Sequence, residues 1–444
     1  MTNPTTTTPR PRRRAPGDLP FQFATRELAE RLSDERAEPD WLRAERMAAA
    51  EAFAAAPIEA NQLYTPYVDL RGADLMEARP YVTDAPPGLG DDLADLTPQD
   101  GVRVETFSQW FERDPAGYRR ALEGGASLPS DDKLAMLARG FWSHGRHVEI
   151  AAGVSVREAI TLRWRAAAPG RALVSRTVIE MGPGATAWVV EEQVPCGPAI
   201  ECAEGEPVPQ GLFHGTTEVR LGEGASLAMA SLQEFDEHQV VFEHRHASIG
   251  EGASLRWALA QLGGRLVRSR VDNHLEGDRS SVEQVEIVFA DGEQLFDLTS
   301  YTRHIGRDTT GNLLSKGVLL DKSRSFMKGL ITIERSAVGT DSYLGEFGMN
   351  LSKSARAVAI PSLEIDQPDC RRAAHSSSVG PIDAAQLFYL ESRGIAPDEA
   401  RKFIVLGFLE PVVAAVPLDD ARDRLRELLD AKWAAGLRET ATAA

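Results

Sequence analysis

The sequence predicts a mainly β protein with a stacked-strand solenoid core, a parallel β-helix, and helical regions before and after it. From about Val148 onward, apolar residues alternate with period two, as on strands with one buried face. A strand, a Gly-x-Gly-Ala-Ser/Thr turn and a second strand recur in "IEMGPGATAWVV", "VRLGEGASLAMAS" and "ASIGEGASLRWALA". Weak self-similarity of this kind is typical of solenoids, in which neighbouring rungs cover each other's apolar sides.

The spacing of the glycine turns favours a β-helix over a twisted β-sandwich, which the alternation alone would also fit. Gly222, Gly250 and Gly277 lie 28 and 27 residues apart, a nearly constant period. Gly182 lies 40 residues before Gly222. This larger gap predicts a long loop, "CGPAIECAEGEPVPQGLF", between the first two turns.

Helical patterns precede the strands. Thr25 is a suitable N-cap for "RELAERLSDER", and Pro39 suits the first turn of "PDWLRAERMAAAEAFAAA". A later helix over "SDDKLAMLARGFWSHG" has Ser130 as its predicted cap. Residues 58–104 are rich in Pro, Gly and Asp without a clear period, and they predict a loop-rich connection.

Helical patterns return after Gly380. Asp383 and Gln386 resemble a capping box for "AAQLFYLESR", and Gly394 is suited to end that helix. Pro411 is expected to kink or break the next helix, and "LDDARDRLRELLDAKWAAGL" is the last amphipathic one. The apolar face of these helices either binds a partner protein or packs on the chain's own rungs as a cap.

These patterns divide the chain into four regions. They are a disordered basic tail over residues 1–20, an N-terminal helical region with a loop-rich connection over residues 21–145, a β-helix core over residues 146–372, and a C-terminal helical domain over residues 373–444.

Composition narrows the class of protein. A formal net charge of −17 argues against nucleic acid as the main partner, and the basic stretch "PRPRRR" is typical of a solvated tail. No apolar signal-peptide core and no run of about 18 apolar residues occurs, so neither export nor a membrane span is expected. Three cysteines are too few for a disulfide scaffold. We therefore expect a cytoplasmic protein.

No motif for an enzyme site stands out. "GEGAS" is not followed by Gly-Lys-Ser/Thr, no Gly-x-Ser-x-Gly elbow occurs, and the three serines after His375 are typical of turn residues. His244 and His246 share a strand face that we expect to be solvated rather than metal-binding. The spacing of Cys196 and Cys202 is not typical of a zinc or cluster site. Any iron–sulfur cluster would therefore need ligands from another chain.

The chain resembles the SufB/SufD family, the scaffold proteins of the Suf iron–sulfur cluster assembly machinery. The resemblance is carried by "DKLAMLARGFWSHGRHVEIAAGVSVREAITL", "HIGRDTTGNLLSKGVLLDKSRSFMKGLITIERSAVGTDSY" and "LEIDQPDCRRAAHSSSVGPIDAAQLFYLESRGIAPDEARKFIVLGFLEPVV". It runs over most of residues 38–429. It implies a right-handed parallel β-helix, pairing of a SufB-like with a SufD-like chain through their β-helix ends, and binding of a SufC-like ATPase through the C-terminal helices.

Within the family the chain is most like SufD. The SufB-type cysteine late in the core has no counterpart in "GTDSYLGEFGMNLSKSA", and Ser376 stands where SufB types tend to have Glu. The SufD signature usually has a cysteine two residues before its histidine. Here that residue is Ala373, and Cys370 lies three residues further upstream, so the family role of that cysteine does not transfer.

His375 matches the SufD signature histidine near the SufB contact. The resemblance therefore implies that His375 is a candidate nascent-cluster ligand, and so a candidate metal ligand, at the interface with a SufB-like chain. Neutral imidazole is a competent iron ligand. By residue type alone, a hydrogen-bonded packing histidine in a turn is the alternative. No cofactor is expected on this chain alone, because a transient cluster would be shared with the SufB-like partner and ATP would bind only to the ATPase.

The resemblance also assigns the ATPase contact to the C-terminal helices. The residues predicted to make it are Asp383, Leu387, Phe388, Leu390, Arg393, Gly394, Phe403, Leu406, Gly407 and Phe408.

Several alternatives stay open at this stage. The end of a β-helix that pairs with a relative is also able to pair with itself, so a homodimer in isolation is one of them. Others are a SufB-like scaffold, an assembly-only subunit that carries no ligand, and a carbohydrate-active β-helix enzyme of the kind that is usually exported.

Overall fold

The computed structural model describes residues 19, 21–56, 70, 72–86, 89, 94–95, 97–123, 128–129, 132–197, 208–416 and 418–442. The helices are α1 (Arg26–Glu35), α2 (Asp40–Ala55), α3 (Phe107–Arg113), α4 (Pro115–Leu122), α5 (Lys133–Phe141), α6 (Ala384–Ser392), α7 (Pro397–Val413) and α8 (Asp419–Thr442). The strands are β1 (Arg79–Pro80), β2 (Ala94–Asp95), β3 (Val102–Thr106), β4 (His144–Ile150), β5 (Ile160–Arg165), β6 (Arg171–Met181), β7 (Thr186–Val194), β8 (Gly211–Leu221), β9 (Ser226–Gln233), β10 (Gln239–Ile249), β11 (Ser254–Gln261), β12 (Leu266–Leu275), β13 (Ser281–Ala290), β14 (Leu295–His304), β15 (Thr310–Leu319), β16 (Arg324–Ile333), β17 (Asp341–Asn350), β18 (Arg356–Ile365) and β19 (Arg372–Gly380).

The strands form two long sheets that wind into a parallel solenoid of about eight turns. The first sheet has the order β18-β16-β14-β12-β10-β8-β6-β4-β3, and the second β19-β17-β15-β13-β11-β9-β7-β5-β2. Each turn contributes one strand to each sheet, and the pairing from β4 to β18 and from β5 to β19 is parallel. This confirms the predicted fold class.

The recurring glycine unit is the corner where the chain passes from the first sheet to the second. Gly224 and Gly252 adopt φ angles of 64° and 62°, which a residue with a side chain rarely adopts. A Cβ on Gly250 would lie 2.6 Å from the carbonyl oxygen of Leu221 in the rung below. The period seen in the sequence is therefore a steric requirement of stacking one corner directly on another.

The N-terminal helices pack on the outer face of the first sheet. Leu32, Phe53 and Phe141 lie in one buried cluster with Leu212 and Phe242 of the sheet. Strand β3 pairs antiparallel with β4, and β2 pairs antiparallel with β5, so both sheets are closed by an extra strand at this end.

The structure confirms one of the N-terminal predictions and corrects others. Thr25 is the N-cap of α1, as predicted, and accepts a hydrogen bond from the amide of Leu28. The predicted cap Ser130 lies outside the described residues, and the N-cap of α5 is Asp132. The loop-rich connection over residues 58–104 was only partly right, because it contains β1, β2 and the start of β3. Most of the predicted tail also lies outside the described residues.

The C-terminal helices cover part of the outer face of the second sheet. Buried residues of α7 and α8 share a cluster with Ala230, Ala258 and Ile287 of that sheet. Pro411 does not break α7, which continues to Val413 and ends two residues beyond the proline. No helix in the described part of the chain has the length and apolar character needed to cross a membrane.

The predicted boundary between core and C-terminal domain was wrong. Residues 373–380 were assigned to the helical domain, but β19 runs to Gly380. The Ser-rich segment is the last strand of the second sheet, and the helical domain begins only after it.

Candidate functional site at the open end of the solenoid

The last rung, formed by β18 and β19, is uncovered. Each of these strands has a paired neighbour on one side only among the described residues, β16 and β17 respectively. Most of their side chains are half-buried or exposed, whereas those of β16 are mainly buried. A strand in this position presents unpaired backbone donors and acceptors to another chain.

His375 lies in the middle of β19, not in a turn as the packing alternative assumed. It is in register with Leu344 of β17, which is in register with Leu313 of β15. Leu313 and Leu344 are buried and pack with Ile331 and Ile333 of the opposite sheet, so this face is the inside of the solenoid.

The position of His375 in this inward column explains its exposure. Further down, the same column continues with Gln284 and Trp257, and each of these lower residues is at most 2% exposed. His375 is exposed although it lies on the inward face, because no described rung follows it. The imidazole therefore stands at the open mouth of the solenoid interior.

A second inward column brings carboxyl groups toward the same mouth. Ser377 is in register with Glu346, and Glu346 continues through Ser315 to Glu286. Burial raises the pKa of Glu286 and of Glu346 to about 8. Both groups are therefore neutral acids at pH 7, and Glu346 accepts a hydrogen bond from the amide of Ile360 on β18.

Polar contacts fix the last strand on the rung below. The hydroxyls of Tyr343 and Ser376 are 2.6 Å apart. Arg372 forms an ion pair with Asp341 at 2.7 Å and donates to Asn312 at 3.0 Å. The strand that carries His375 is thus held in place without a further rung.

His375 belongs to neither of the two groups of three close metal-ligand side chains found among the described residues. Cys370, just before β19, is partly buried against the cluster that contains Ile331, Ile333 and Leu344. The open end therefore offers a single imidazole ligand rather than a complete metal site.

The predicted ATPase-contact residues divide between two faces of α6 and α7. Phe388 and Phe403 are 72% and 65% exposed, and Tyr389, which the sequence analysis did not select, is 56% exposed. Tyr389 and Ile404 line a shallow apolar groove between the two helices. This aromatic face, defined by Phe388, Tyr389 and Phe403, has no covering element among the described residues.

The opposite side of α7 packs on the chain itself. Leu406 and Phe408 are partly buried against the cluster shared with the second sheet, and Val405 and Leu409 are fully buried in it. Lys316 of β15 donates to the carbonyl oxygen of Phe408 at 2.6 Å. The packing alternative is therefore realised on one face of the helices, whereas the binding of a partner to the exposed face stays a prediction.

The remaining predicted residues lie within α6, at its two ends and within α7. Asp383 is the N-cap of α6, but it accepts from the amide of Ala385 at 2.8 Å rather than from that of Gln386, which the predicted capping box requires. Leu387 and Leu390 are half-buried, and Gly407 is exposed. Arg393 lies over the ring of Tyr389 at 5.2 Å, and Gly394 ends α6 with a φ of 87°.

The expectation for His244 and His246 was wrong. They share a strand face, but this face of β10 is buried rather than solvated. His244 lies 2.5 Å from a carboxylate oxygen of Asp272, and the ring of His246 is 4.6 Å from that of His274. Burial lowers the pKa of His246 to about 3, so this ring is neutral.

Sequence reasoning also missed a cluster around Cys196. Its thiol lies close to Asp236 and His238, 40 and 42 residues further along the chain, while Cys202 is outside the described residues. No local motif signals this cluster, because the three residues meet only when successive rungs stack.

Comparison with known proteins finds a match that spans most of the solenoid. Residues 164–408, more than half of the chain, match the family model described as "SUF system FeS cluster assembly, SufBD core domain". The chain is 31% identical over 222 residues to the "Iron-sulfur cluster assembly protein SufD" of Bacillus subtilis, which covers 50% of this chain and 51% of the relative.

Mycobacterial relatives give a similar result. A SufBD family protein of Mycobacterium tuberculosis is 30% identical over 227 residues, 50% of this chain and 57% of the relative. One from Mycobacterium leprae is 24% identical over 294 residues, 66% of this chain and 33% of the relative. The chain thus spans about half the length of the first curated relatives it matches.

Proposed function

Because the chain belongs to the SufBD family of SUF-system iron–sulfur cluster assembly proteins, we propose that it is a SufD-type scaffold subunit with no catalytic activity of its own. It pairs with a SufB-like chain through the open end of the solenoid and binds a SufC-like ATPase through the aromatic face. The observation that carries this proposal is the inward column that ends, uncovered, at His375.

Pairing at the open end follows from the chemistry of β18 and β19. Ile365 and Val379 on these strands are 46% and 40% exposed, so apolar area and backbone hydrogen-bonding groups are uncovered together. A second β-helix end would satisfy both, because its terminal strands add the rung that is missing here. A SufB-like chain has such an end by family resemblance.

The nascent cluster is the cargo of this interface, and His375 would supply one ligand to it. Clusters are held mainly by cysteine thiolates, with histidine as a substitute in some centres. Since His375 belongs to no group of three close metal-ligand side chains among the described residues, the sulfur ligands come from the SufB-like partner. The cluster is then shared, and neither chain retains it alone.

The aromatic face suits a protein partner. Exposed aromatic residues at the centre of a contact contribute much of the binding free energy in protein complexes. Strand β19 ends at Gly380 and α6 begins at Ala384, so only three residues join the strand of His375 to the first helix of the aromatic face. ATP hydrolysis in the partner would move α6 and α7 and thereby strain the interface around His375.

Co-expression tests the assembly. The chain is produced with the SufB-like and SufC-like proteins of its own genome, and the purified product is weighed by native mass spectrometry. We expect a mass that contains all three chains. Recovery of this chain alone, or only as a homodimer, in the presence of both candidates would contradict the proposal.

Replacement of the histidine tests the ligand role. His375→Ala is expected to leave the complex intact but to lower the iron and acid-labile sulfide bound after anaerobic reconstitution. Ser377→Ala is the matched control, since Ser377 is exposed on the same inward face two residues away. An unchanged cluster yield in His375→Ala would remove this residue from the site while leaving the scaffold role in place.

A further inference from the structure

A cluster of metal-ligand side chains lies near the other end of the solenoid. Cys196 follows β7 by two residues, and Asp236 and His238 are in the short connection between β9 and β10. One donor atom from each residue lies within 4.8 Å of the donors of the other two. Neither the family match nor the open end accounts for this grouping.

The backbone holds the three residues in place. One carboxylate oxygen of Asp236 accepts from the amide of Cys196 at 2.9 Å, which turns the carboxylate toward the thiol. The carbonyl of Asp236 accepts from the amide of Gln239 at 3.0 Å, and that of His238 from the amide of Gly211 at 3.1 Å. The first bond closes a turn within the connection, and the second ties His238 to β8 of the neighbouring rung.

The imidazole of His238 has a partner on one nitrogen. Its Nε2 lies 3.2 Å from the carbonyl oxygen of Ala167 and 2.6 Å from the side-chain nitrogen of Gln239. The side-chain amide of Gln239 also donates to this carbonyl. In the tautomer in which Nε2–H replaces that amide as the donor to Ala167, Nδ1 has a free lone pair. Metal-binding histidines usually donate their second N–H to such a group.

The other group of close donor side chains differs from this one in its charge balance. In Glu105, His147 and Glu149, Arg113 forms ion pairs with both carboxylates, and both ring nitrogens of His147 contact carboxylates. Its charges are already matched, so it is an ion-pair network. Asp236, by contrast, has no ion pair with Lys, Arg or His in the part of the chain that the structure describes.

The surroundings of Cys196 favour a bound cation. The thiol is 7% exposed and shares a buried cluster with Trp164, Phe213 and Phe235. Burial, and then the charge of Asp236, raise the pKa of this thiol. Arg165 acts in the opposite direction on this pKa. A divalent cation would displace the thiol proton and offset the charge of Asp236 together with that of the thiolate formed.

We propose that Cys196, Asp236 and His238 bind one divalent first-row transition-metal ion, Zn²⁺ or Fe²⁺. Thiolate and imidazole donors select such ions over Mg²⁺ and Ca²⁺. Bond lengths of about 2.0 to 2.3 Å place tetrahedral ligand atoms about 3.3 to 3.6 Å apart, so side-chain movements of about 1 Å complete the set. Three protein ligands leave a fourth position for water or an incoming ligand.

This site is separate from the proposed cluster interface. Six strand spacings of about 4.8 Å separate β7 from β19, so the two sites lie about 29 Å apart along the solenoid. Loss of metal at Cys196 would therefore leave pairing at the open end unchanged. The metal site and the cluster interface can therefore be tested independently of each other.

The full chain with Cys202→Ser and Cys370→Ser tests the proposal, because Cys196 is then its only thiol. Anaerobic titration with Co²⁺ as the probe is expected to give one equivalent bound, with a thiolate-to-cobalt charge-transfer band and tetrahedral ligand-field bands. Because the thiol proton must leave, the apparent affinity is expected to rise with pH. Zn²⁺ is expected to remove the bands by displacement.

Variants of each ligand complete the test. In the same background, Cys196→Ser is expected to abolish the charge-transfer band, and Asp236→Asn and His238→Gln to weaken Co²⁺ binding by about tenfold or more. Glu237→Gln is the matched control, an exposed carboxylate between the two ligands. Far-UV circular dichroism verifies folding, and Asp236→Asn and His238→Gln carry the test if Cys196→Ser fails to fold.

The outcomes are distinct. Metal analysis of the unmodified chain as purified distinguishes zinc from iron as the natural occupant, and either ion supports the proposal. A folded chain with Cys196 as its only thiol that gives no thiolate-to-cobalt band would overturn it. Equal Co²⁺ affinities in Glu237→Gln and His238→Gln would overturn it as well.

Discussion

The two ends of the solenoid are finished in opposite ways. At the N-terminal end, β3 and β2 pair antiparallel with the first long strands, and α1, α2 and α5 bury their apolar faces on the first sheet. At the C-terminal end, β18 and β19 have no further strand among the described residues, and most of their inward side chains are half-buried or exposed.

This difference separates stability from recognition. A capped end buries its apolar surface and pairs its hydrogen-bonding groups within the chain. Its residues are therefore expected to determine the free energy of unfolding. An open end keeps the same groups available to another protein, so its residues are expected to affect association and to leave stability nearly unchanged. Substitutions at matched positions measure how far this division holds.

The largest loss of stability is expected for Arg46→Met at the capped end. Arg46 is fully buried, forms an ion pair with Glu38 at 2.6 Å and donates to the carbonyl of Trp142 at 3.0 Å. Its removal leaves a buried carboxylate uncompensated, which costs about 3 to 5 kcal/mol. Guanidinium unfolding measures this change.

The comparison is Arg372→Met at the open end. The ion pair of Arg372 with Asp341 is exposed, so its loss should lower the free energy of unfolding by less than about 1 kcal/mol. Equal losses at the two ends would show that the open rung contributes to stability as much as the cap does.

The next largest effect is expected within one inward column. Leu344→Ala should lower the free energy of unfolding by about 2 to 5 kcal/mol, because Leu344 is buried one rung below the end. His375→Ala, one rung further, should change it by no more than about 0.5 kcal/mol, since the imidazole is exposed. Thermal or denaturant unfolding of both variants measures these changes. A loss of unfolding free energy in His375→Ala close to that in Leu344→Ala would argue that another part of the chain covers the column.

A smaller effect, dependent on pH, is expected for Glu286→Gln inside the solenoid. Burial raises the pKa of Glu286 from 4.5 to about 8, so between these values the folded chain holds a proton that the unfolded chain has lost. Stability therefore falls as pH rises through this window, by about 1.4 kcal/mol per pH unit for one such group.

Denaturant unfolding between pH 6 and pH 8 measures the slope. Glu286→Gln should reduce the decline with pH, and a residual slope from Glu346, whose pKa is also raised to about 8, should persist. Glu283→Gln, an exposed carboxylate on the same strand, should leave the slope unchanged. A decline between pH 7 and pH 8 that is equally steep in the wild type and in Glu286→Gln would argue that Glu286 is ionised in the folded chain.

The smallest effect on stability is expected for the aromatic face. Phe388→Ala with Phe403→Ala should change the free energy of unfolding by less than about 0.5 kcal/mol, because both rings are already exposed. Binding of the SufC-like ATPase should weaken by about thirtyfold or more if these rings are central to the contact. Met76→Ala, exposed on the N-terminal side, is the control for calorimetric titration. Full affinity in the double variant would place the ATPase elsewhere.

Local patterns were enough to predict the solenoid. The glycine corners recur because each must fit directly over the one before, so the period is present in the sequence itself. The last strand was missed for a related reason. Residues of β19 such as Ser377 are polar on the inward face, so this segment lacks the apolar alternation by which the earlier strands were recognised.

Contacts between distant parts of the chain were beyond the sequence. His244 and His246 were expected in solvent because nothing local shows that their side of the sheet is covered. Cys196 and Asp236 are 40 residues apart and meet only through the stacking of rungs. The dual role of α7 was left open for the same reason, because periodicity identifies an apolar face but not its partner.

Hydrogen exchange measured by mass spectrometry tests the central claim most directly. In the isolated chain, amides of β18 and β19 are expected to exchange faster than those of β4 and β6, since unpaired edges open at low free-energy cost. On addition of the SufB-like partner, protection should rise at β18 and β19 and stay constant at β4 and β6. Protection that is already complete at β19 in the isolated monomer, or that rises at the capped end instead, would contradict the account.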